Sequence, residues 1–240
     1  MKQPLHHRRI CTSNLKGWTS NTLNELSELF VKECALAPAT ALDIGAAHGI
    51  ATIPALYAGA NLIANDSSQE HLNKLKQLTP PEFQHRLQLL PGRFPRDTKL
   101  KAETLDLAHA SNVFHFLTGR QLEQAAAFLE HALRPGGKVF ILAATPYMKT
   151  FEPFIPTYES RVERGDPWPG WITNVRDYST HRLLSNLPKS IHLLDDKVLR
   201  RVFESTGFVT EQCWYLRRRD LPKSIALDGR ENVAYIARKI

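Results

Sequence analysis

The residues with most chemical promise lie in the run Thr40-Ala41-Leu42-Asp43-Ile44-Gly45-Ala46-Ala47-His48-Gly49-Ile50-Ala51-Thr52. A short apolar stretch ends in an acid, a glycine-bounded turn follows, and the pattern then changes to helix. This order suits a nucleoside cofactor. Glycines let the backbone approach a ligand, and amides at a helix start meet its polar groups. Asp66 comes about 20 residues after the turn, at a strand end, where a ribose diol needs a carboxylate acceptor. Ser111 and Asn112 follow a further strand, at the edge where ligands collect in α/β sheets. His115 is the sharpest candidate catalyst, because an imidazole near neutral pKa can take a proton from a bound nucleophile. The same stretch, Val113-Phe114-His115-Phe116, also reads as a packed edge with a satisfied ring. His48 reads as a loop residue lining the cofactor.

Two common nucleotide loops are excluded. The nicotinamide fingerprint wants glycine at the first, third and sixth places, and counting from Gly45 those places hold Gly45, Ala47 and Ile50. A phosphate-binding loop of Walker type needs a lysine after its glycines, and His48-Gly49-Ile50 supplies none.

These residues need a scaffold, and the hydrophobic pattern describes one. Leu23, Leu26, Phe30 and Cys34 fall at helical spacing, with Ser20-Asn21 as the expected cap and Pro38 as the stop. Trp18, near Lys16, reads as an anchor at the start of that helix. Leu42-Asp43-Ile44 is the first strand and Ile50–Tyr57 the helix after the turn. Ala60–Ala64 is the second strand, ending at Asn65-Asp66. Ser67 with Glu70 is expected to cap a helix reaching about Leu78. Strands follow at Arg86–Leu90, Thr104–Ala110 and Lys138–Ala143, with a helix from about Arg120 to Leu133. A helix at Asp195–Ser205 precedes strands near Phe208–Leu216 and Asn232–Ala237. Strands alternating with helices of this length imply a parallel sheet covered on both faces.

From Thr145 to about Pro188 the alternation stops. The segment carries six prolines and the aromatics Tyr147, Phe151, Phe154, Tyr158, Trp168, Trp171 and Tyr178. It is too aromatic for disorder and too long for a simple loop. An ordered cap over the carboxyl edge of the sheet is expected. Tyr147, Trp168, Trp171 and Tyr178 would line an acceptor pocket or form the cap's own small core. Arg161 or Arg164 could orient an acidic acceptor by paired hydrogen bonds.

The 240-residue chain is 42% hydrophobic and 23% charged, an ordinary balance for a globular protein with a real core. It has no apolar run near the length of about 18 residues that a membrane span needs. Its basic N-terminus lacks the apolar stretch of a secretory signal. Cys11, Cys34 and Cys213 show no metal-ligand spacing or disulfide pattern, which points to a reducing cytoplasm and no metal. The net charge of +7 raises the question of nucleic acid. Residues 1–120 hold 13 basic and 10 acidic side chains, and the rest hold 18 and 14. The excess is spread, and its two tight runs, Arg8-Arg9 and Arg217-Arg218-Arg219, are not interleaved with stacking aromatics. A solvated basic surface is the favoured reading.

The residues 42–49 resemble motif I of the class I S-adenosylmethionine-dependent methyltransferases, whose usual form is apolar, acid, apolar, Gly-x-Gly-x-Gly. Gly45 and Gly49 match the outer glycines, and Ala47 takes the middle place. Further resemblances follow in order: Asp66 at the second strand end, Leu105-Asp106-Leu107 with Ser111-Asn112, the Leu133-Arg134-Pro135-Gly136-Gly137 turn, and Glu204-Ser205-Thr206-Gly207-Phe208. The resemblance covers roughly residues 38–143 and 190–239. It implies a Rossmann-like, seven-stranded, mostly parallel sheet flanked by helices, with an N-terminal helix and a cap inserted between the fifth and sixth strands. One domain is expected over 1–240: a helical segment at 1–37, the core at 38–144 and 189–240, and the cap at 145–188.

It also implies S-adenosylmethionine as cofactor. Asp43 would order the loop through its amides, and Asp66 would bind the ribose hydroxyls. Gly45, Ala47, His48, Gly49, Ser67, Ser111 and Asn112 would line the remaining contacts. The family often places an acid after the third strand to meet adenine; Leu90-Pro91-Gly92-Arg93-Phe94 has none, so backbone groups of Arg93 and Phe94 would hold the base, with Asp97 as the spare candidate. The resemblance makes the chain an enzyme that moves a methyl group to O or N of a small-molecule acceptor. A nucleic-acid methyltransferase, motivated by charge, and a non-catalytic cofactor-binding protein are the rival readings.

Overall fold

A computed structural model describes residues 9–11, 18–20, 22–179, 187–217 and 224–240. Arg8, Lys16, Asn21, Arg218 and Arg219 therefore lie outside the described residues. Two short strands, β1 (Arg9–Cys11) and β2 (Trp18–Ser20), pair antiparallel ahead of helix α1 (Glu25–Cys34). The main sheet then builds from β3 (Thr40–Ile44), β4 (Asn61–Asp66), β5 (Leu87–Pro91), β6 (Leu105–Ser111), β7 (Leu133–Ala144), β10 (Phe208–Leu216) and β11 (Asn232–Lys239). Its order is β10-β11-β7-β6-β3-β4-β5. Strands β3 to β7 run parallel, and β11 and β10 close one side antiparallel. This is the expected seven-stranded, mostly parallel α/β sheet.

The near-continuous apolar strands are covered on both faces, as a parallel sheet requires. Helix α1 and helix α2 (Thr52–Tyr57) bury Leu26, Phe30, Ala55 and Leu56 against Ala41, Leu107 and Phe140. Helices α4 (Gly119–Ala132) and α6 (Asp196–Glu204) bury Leu122, Leu129, Leu199 and Phe203 against Leu42, Ile141 and Tyr235 on the other face. Helix α3 (Gln69–Leu78) packs Leu72 and Leu75 on Ala46 and Ala64. No helix among the described residues is long and apolar enough to cross a membrane.

Two helix starts differ from expectation, each for a local reason. Helix α1 is capped by Asn24, whose side chain accepts the Ser27 N–H, while Ser20 is paired in β2. Helix α3 is capped by Ser68, not Ser67: Asp66 takes the Ser68 N–H, which holds Ser67 in the preceding turn. Asn, Ser and Asp side chains compete for the same backbone donors, so the start shifts by a residue or more.

Helix α1 is also fastened to the sheet by a polar chain running through an apolar layer. Asp43 Oδ1 accepts from His109 Nδ1 at 2.8 Å, and the other ring nitrogen meets Ser27 Oγ at 2.9 Å. Thr52 Oγ1 donates to Asp43 Oδ2 at 2.6 Å. The carboxylate requires the ring proton on Nδ1, so neutral His109 accepts from the serine hydroxyl. Phe30 stacks on the imidazole at 4.7 Å. All three members of this Ser–His–Asp series are buried, so it serves packing and not nucleophilic attack.

Between β7 and α6 the chain forms the cap: a 3-10 turn at Lys149–Phe154, helix α5 (Ile155–Glu163), and the antiparallel pair β8 (Trp171–Ile172) and β9 (Ile191–His192). Phe151, Phe154, Tyr158, Ile172, Val175, Ile191 and Leu193 give it a core of its own. His192 is wholly buried, lies beside Trp168 and Trp171, and donates Nδ1–H to the Leu117 carbonyl at 3.1 Å. Its Nε2 has no hydrogen-bond partner among the described residues.

Burial lowers the His192 pKa from 6.5 to about 4. The unfolded chain takes up this proton first, so the neutral ring's contribution is whole above pH 6.5 and lost as pH falls toward 4. The expected loss is about 3 kcal/mol. Urea unfolding between pH 7.5 and 4.5 should show this slope in the wild type and its disappearance in His192→Asn. In the sheet, His109→Leu strands a buried carboxylate and should cost about 3–5 kcal/mol. The double variant His109→Leu/Asp43→Leu should recover part of that loss in the same assay.

Candidate functional site

The chain leaves the carboxyl ends of β3 and β6 toward opposite faces, because β4 lies to one side of this pair and β7 to the other. A crevice opens at such a reversal point. Four segments border it: residues 45–51 after β3, Asp66 at the end of β4, residues 92–95 after β5, and residues 111–116 after β6.

The loop after β3 makes a tight turn through positive φ at Gly45 (69°), Ala47 (47°) and Gly49 (84°). A Cβ on Gly45 would run into Val113 of the β6 loop, and one on Gly49 into Leu75 of α3. Glycine at these two places is therefore required by both conformation and contact. Ala47 adopts the left-handed conformation without being glycine, at a cost of roughly 1–2 kcal/mol. The turn is thereby held close against Val113 on one side and Leu75 on the other.

The loop amide is held by Asp66 and not by Asp43. The sequence reading gave Asp43 to the loop amides, but its oxygens are taken by Thr52 and His109. The Ala47 N–H goes instead to Asp66 Oδ2 at 3.0 Å, while Asp66 Oδ1 accepts the Ser68 N–H at 2.8 Å and lies 3.2 Å from His71 Nδ1. His48 packs its ring edge-on against His71 at 5.1 Å, and its pKa is lowered, first by burial and then by His71. Ser67 is exposed beside the same strand end.

After β5, Asn65 holds the chain in place by donating to the Leu90 and Gly92 carbonyls. Arg93 is exposed and paired with Asp97 at 3.1 Å, and Arg96 engages the same carboxylate. Asp97 is thus committed to two arginines. Phe94 is buried, stacked toward Phe114 and edge-on to Phe128, so its ring belongs to the core while its backbone borders the crevice.

After β6, Ser111 Oγ accepts from Asn24 of α1 and from Asn112. Asn112 takes φ +61°, and its side-chain oxygen accepts from Asn232 at 3.4 Å. His115 is buried, with Nδ1 accepting the Ala144 N–H at 3.3 Å. In the neutral ring the proton therefore sits on Nε2.

The cap residues do not converge as one pocket. Arg161 donates to the Pro169 and Trp171 carbonyls, at 3.1 and 2.7 Å, and so braces the cap backbone. Trp168 fills the space over Gly119, with Arg201 above its ring. Trp168 and Trp171 flank His192, and Tyr178 packs on Phe154. Tyr147 alone of the five stands just past the end of β7. There Arg230 covers its ring at 3.6 Å, and Tyr158 and Tyr215 meet it edge-on. Tyr158 and Tyr215 donate to Asp195 and Asp196, and burial first, then these carboxylates, raise both phenol pKa values. Tyr215, Arg230, Asn24, Asn232 and His71 were not singled out as site residues in the sequence reading, and Tyr158 entered it only as one of the cap's aromatics. All but His71, which follows Asp66 by five residues, owe their place to pairing across the fold, which no local spacing signals. Among the described residues no cluster of His, Cys, Asp and Glu could hold a metal ion.

Residues 42–139 match a family model described as a methyltransferase domain. No curated protein sequence matches the chain. Among solved structures, an S-adenosylmethionine-dependent methyltransferase from Mesorhizobium loti aligns with TM-score 0.63 at 16% identity, covering 90% of this chain and 99% of that one. One from Methanosarcina mazei gives 0.66 at 12% identity, with coverages of 91% and 99%. The 1,6-didemethyltoxoflavin-N1-methyltransferase of Burkholderia thailandensis, solved with its substrate and S-adenosylhomocysteine, gives 0.61 at 15% identity, with coverages of 95% and 79%. Residues 42–139 thus resemble a methyltransferase domain, and the fold that carries them is shared with S-adenosylmethionine-dependent methyltransferases of known structure.

Proposed function

We propose that this enzyme moves a methyl group from S-adenosylmethionine to an oxygen or nitrogen of a small-molecule acceptor. The observation that carries the small-molecule half is the cap. It has its own buried core, begins at the last residue of β7 and returns to it, since the Leu194 N–H bonds the Ala144 carbonyl. It stands at the carboxyl end of β7, where a wall beside the crevice would favour a small acceptor over a polymer. The toxoflavin-precursor methyltransferase, whose fold this chain shares, has a small heterocycle bound.

The bound donor supplies a methyl group already activated as a sulfonium. The chain's part is to hold it, align an acceptor and exclude water, and alignment alone can supply roughly 7–11 kcal/mol. Gly45, Ala47 and Gly49 give the close backbone surface, with His48 beside it. Asp66 accepts from the ribose, and Ser67 flanks it. The backbone at Arg93 and Phe94 borders the base. Ser111 and Asn112 would contact the methionine end, and Asp43 supports the start of the following helix through Thr52. The cap presents Tyr147 to the acceptor, while Arg161, Trp168, Trp171 and Tyr178 keep the cap in shape. Neutral His115 would have to give up the Ala144 N–H before Nδ1 could take a proton. An acceptor that is already anionic, such as a carboxylate or phenolate, needs no such base.

Calorimetry with S-adenosylhomocysteine and with NAD tests the donor half: the former should bind, the latter should not, and Asp66→Ala should weaken binding about 100-fold. Radiolabelled methyl transfer to panels of carboxylic acids, phenols and amines tests the acceptor half. Transfer confined to RNA, or none with any panel while the donor binds, would overturn it.

A further inference from the structure

We propose that His71 is a positioning residue for the methyl donor, turning the Asp66 carboxylate so that a single oxygen, Oδ2, is presented to the ribose. The inference rests on reading Asp66 as the ribose-binding acid and goes beyond it in naming what orients that acid.

The two oxygens of Asp66 are unequally used. Oδ1 accepts the Ser68 N–H at 2.8 Å and faces His71 Nδ1 at 3.2 Å, whereas Oδ2 has the Ala47 N–H at 3.0 Å. A carboxylate oxygen accepts about two hydrogen bonds. Oδ1 is thus filled by the chain itself, and Oδ2 keeps an open direction. His71 is the only side chain among these donors, so it is the one the sequence can change.

Its own placement is fixed from three sides. The His71 ring is 2% exposed. Its backbone N–H is held by the Ser68 cap, and the His48 ring meets it edge-on from the glycine loop. Because Asp66 can only accept, the shared proton sits on His71 Nδ1, which makes the histidine a donor in both its neutral and cationic forms. The result is a closed circuit of β4 end, helix α3 and glycine loop. Each of these touches the carboxylate, and none can shift without turning it. Hydrogen bonds to a charged group are worth enough to matter, on the order of a tenfold change in an equilibrium.

The test is calorimetric binding of S-adenosylhomocysteine to the full chain at one pH. His71→Leu should weaken binding about tenfold. His71→Asn puts an amide N–H where Nδ1 stood and should bind within about threefold of wild type. In an Asp66→Asn background, His71→Leu should add nothing, because the group it acts through has lost its charge. If His71→Leu does not fold, His71→Gln, which lacks a donor at the Nδ1 place, replaces it. Wild-type affinity in His71→Leu, no rescue by Asn, or additive losses in the double variant would overturn the role of His71. Wild-type affinity in Asp66→Asn alone would instead overturn the reading of Asp66, so the two failures are told apart.

Discussion

The buried pair Asp43–His109 is the interaction on which the rest of the site stands. It joins adjacent parallel strands, β3 and β6, at the point where their following loops diverge. A carboxylate this deep needs a donor on each oxygen, and the fold supplies one from His109 and one from Thr52. Thr52 opens helix α2, and His109 reaches on to Ser27 of α1. One acid thereby sets the distance between two strands, the start of one helix and the seat of another. The glycine loop spans these fixed points, which is why its φ values can be unusual without the turn relaxing.

The two acids of the motif divide their labour by depth. Asp43 faces inward and is consumed by structure. Asp66, at the next strand end, holds the loop amide of Ala47 with one oxygen and is anchored through the other. A similar division separates the loop after β6 into an inward Phe114, packed with Phe94 and Phe203, and an outward polar set, Ser111 and Asn112, tied to Asn24 and Asn232. Polar side chains from the first helix and from the last strand therefore meet at the same crevice. The site is a junction of chain segments far apart in sequence.

What could be read from the sequence follows from this. Strands and turns were legible where Gly45, Gly49 and Pro91-Gly92 punctuate apolar runs, each marking a local backbone constraint, whereas Pro135-Gly136, read as a turn before a strand at Lys138, lies inside β7, which begins at Leu133. The helix caps slipped by a residue or more because neighbouring Asn and Ser side chains are near equivalents until a strand end selects among them. The role of Asp43 was misjudged because its partner lies 66 residues away, on a strand where a histidine has no reason to stand out. The cap's aromatics were visible as a set, but their grouping was not. Trp168 is placed by the missing side chain of Gly119, and Tyr147 by Arg230 from a loop before the last strand. Sequence spacing carries neither fact.

The cap leaves the sheet at Thr145 and comes back at Leu194, which bonds the residue just before its departure. Its two ends are thus pinned side by side, and the length of chain between them places no demand on the sheet. Closing such a loop costs only slowly more as it lengthens. On the proposed function, a donor site built into the sheet and an acceptor site borne on such a two-ended graft could change independently. Replacing the graft would be a route by which one methyl-donor platform acquires new substrates without refolding its core.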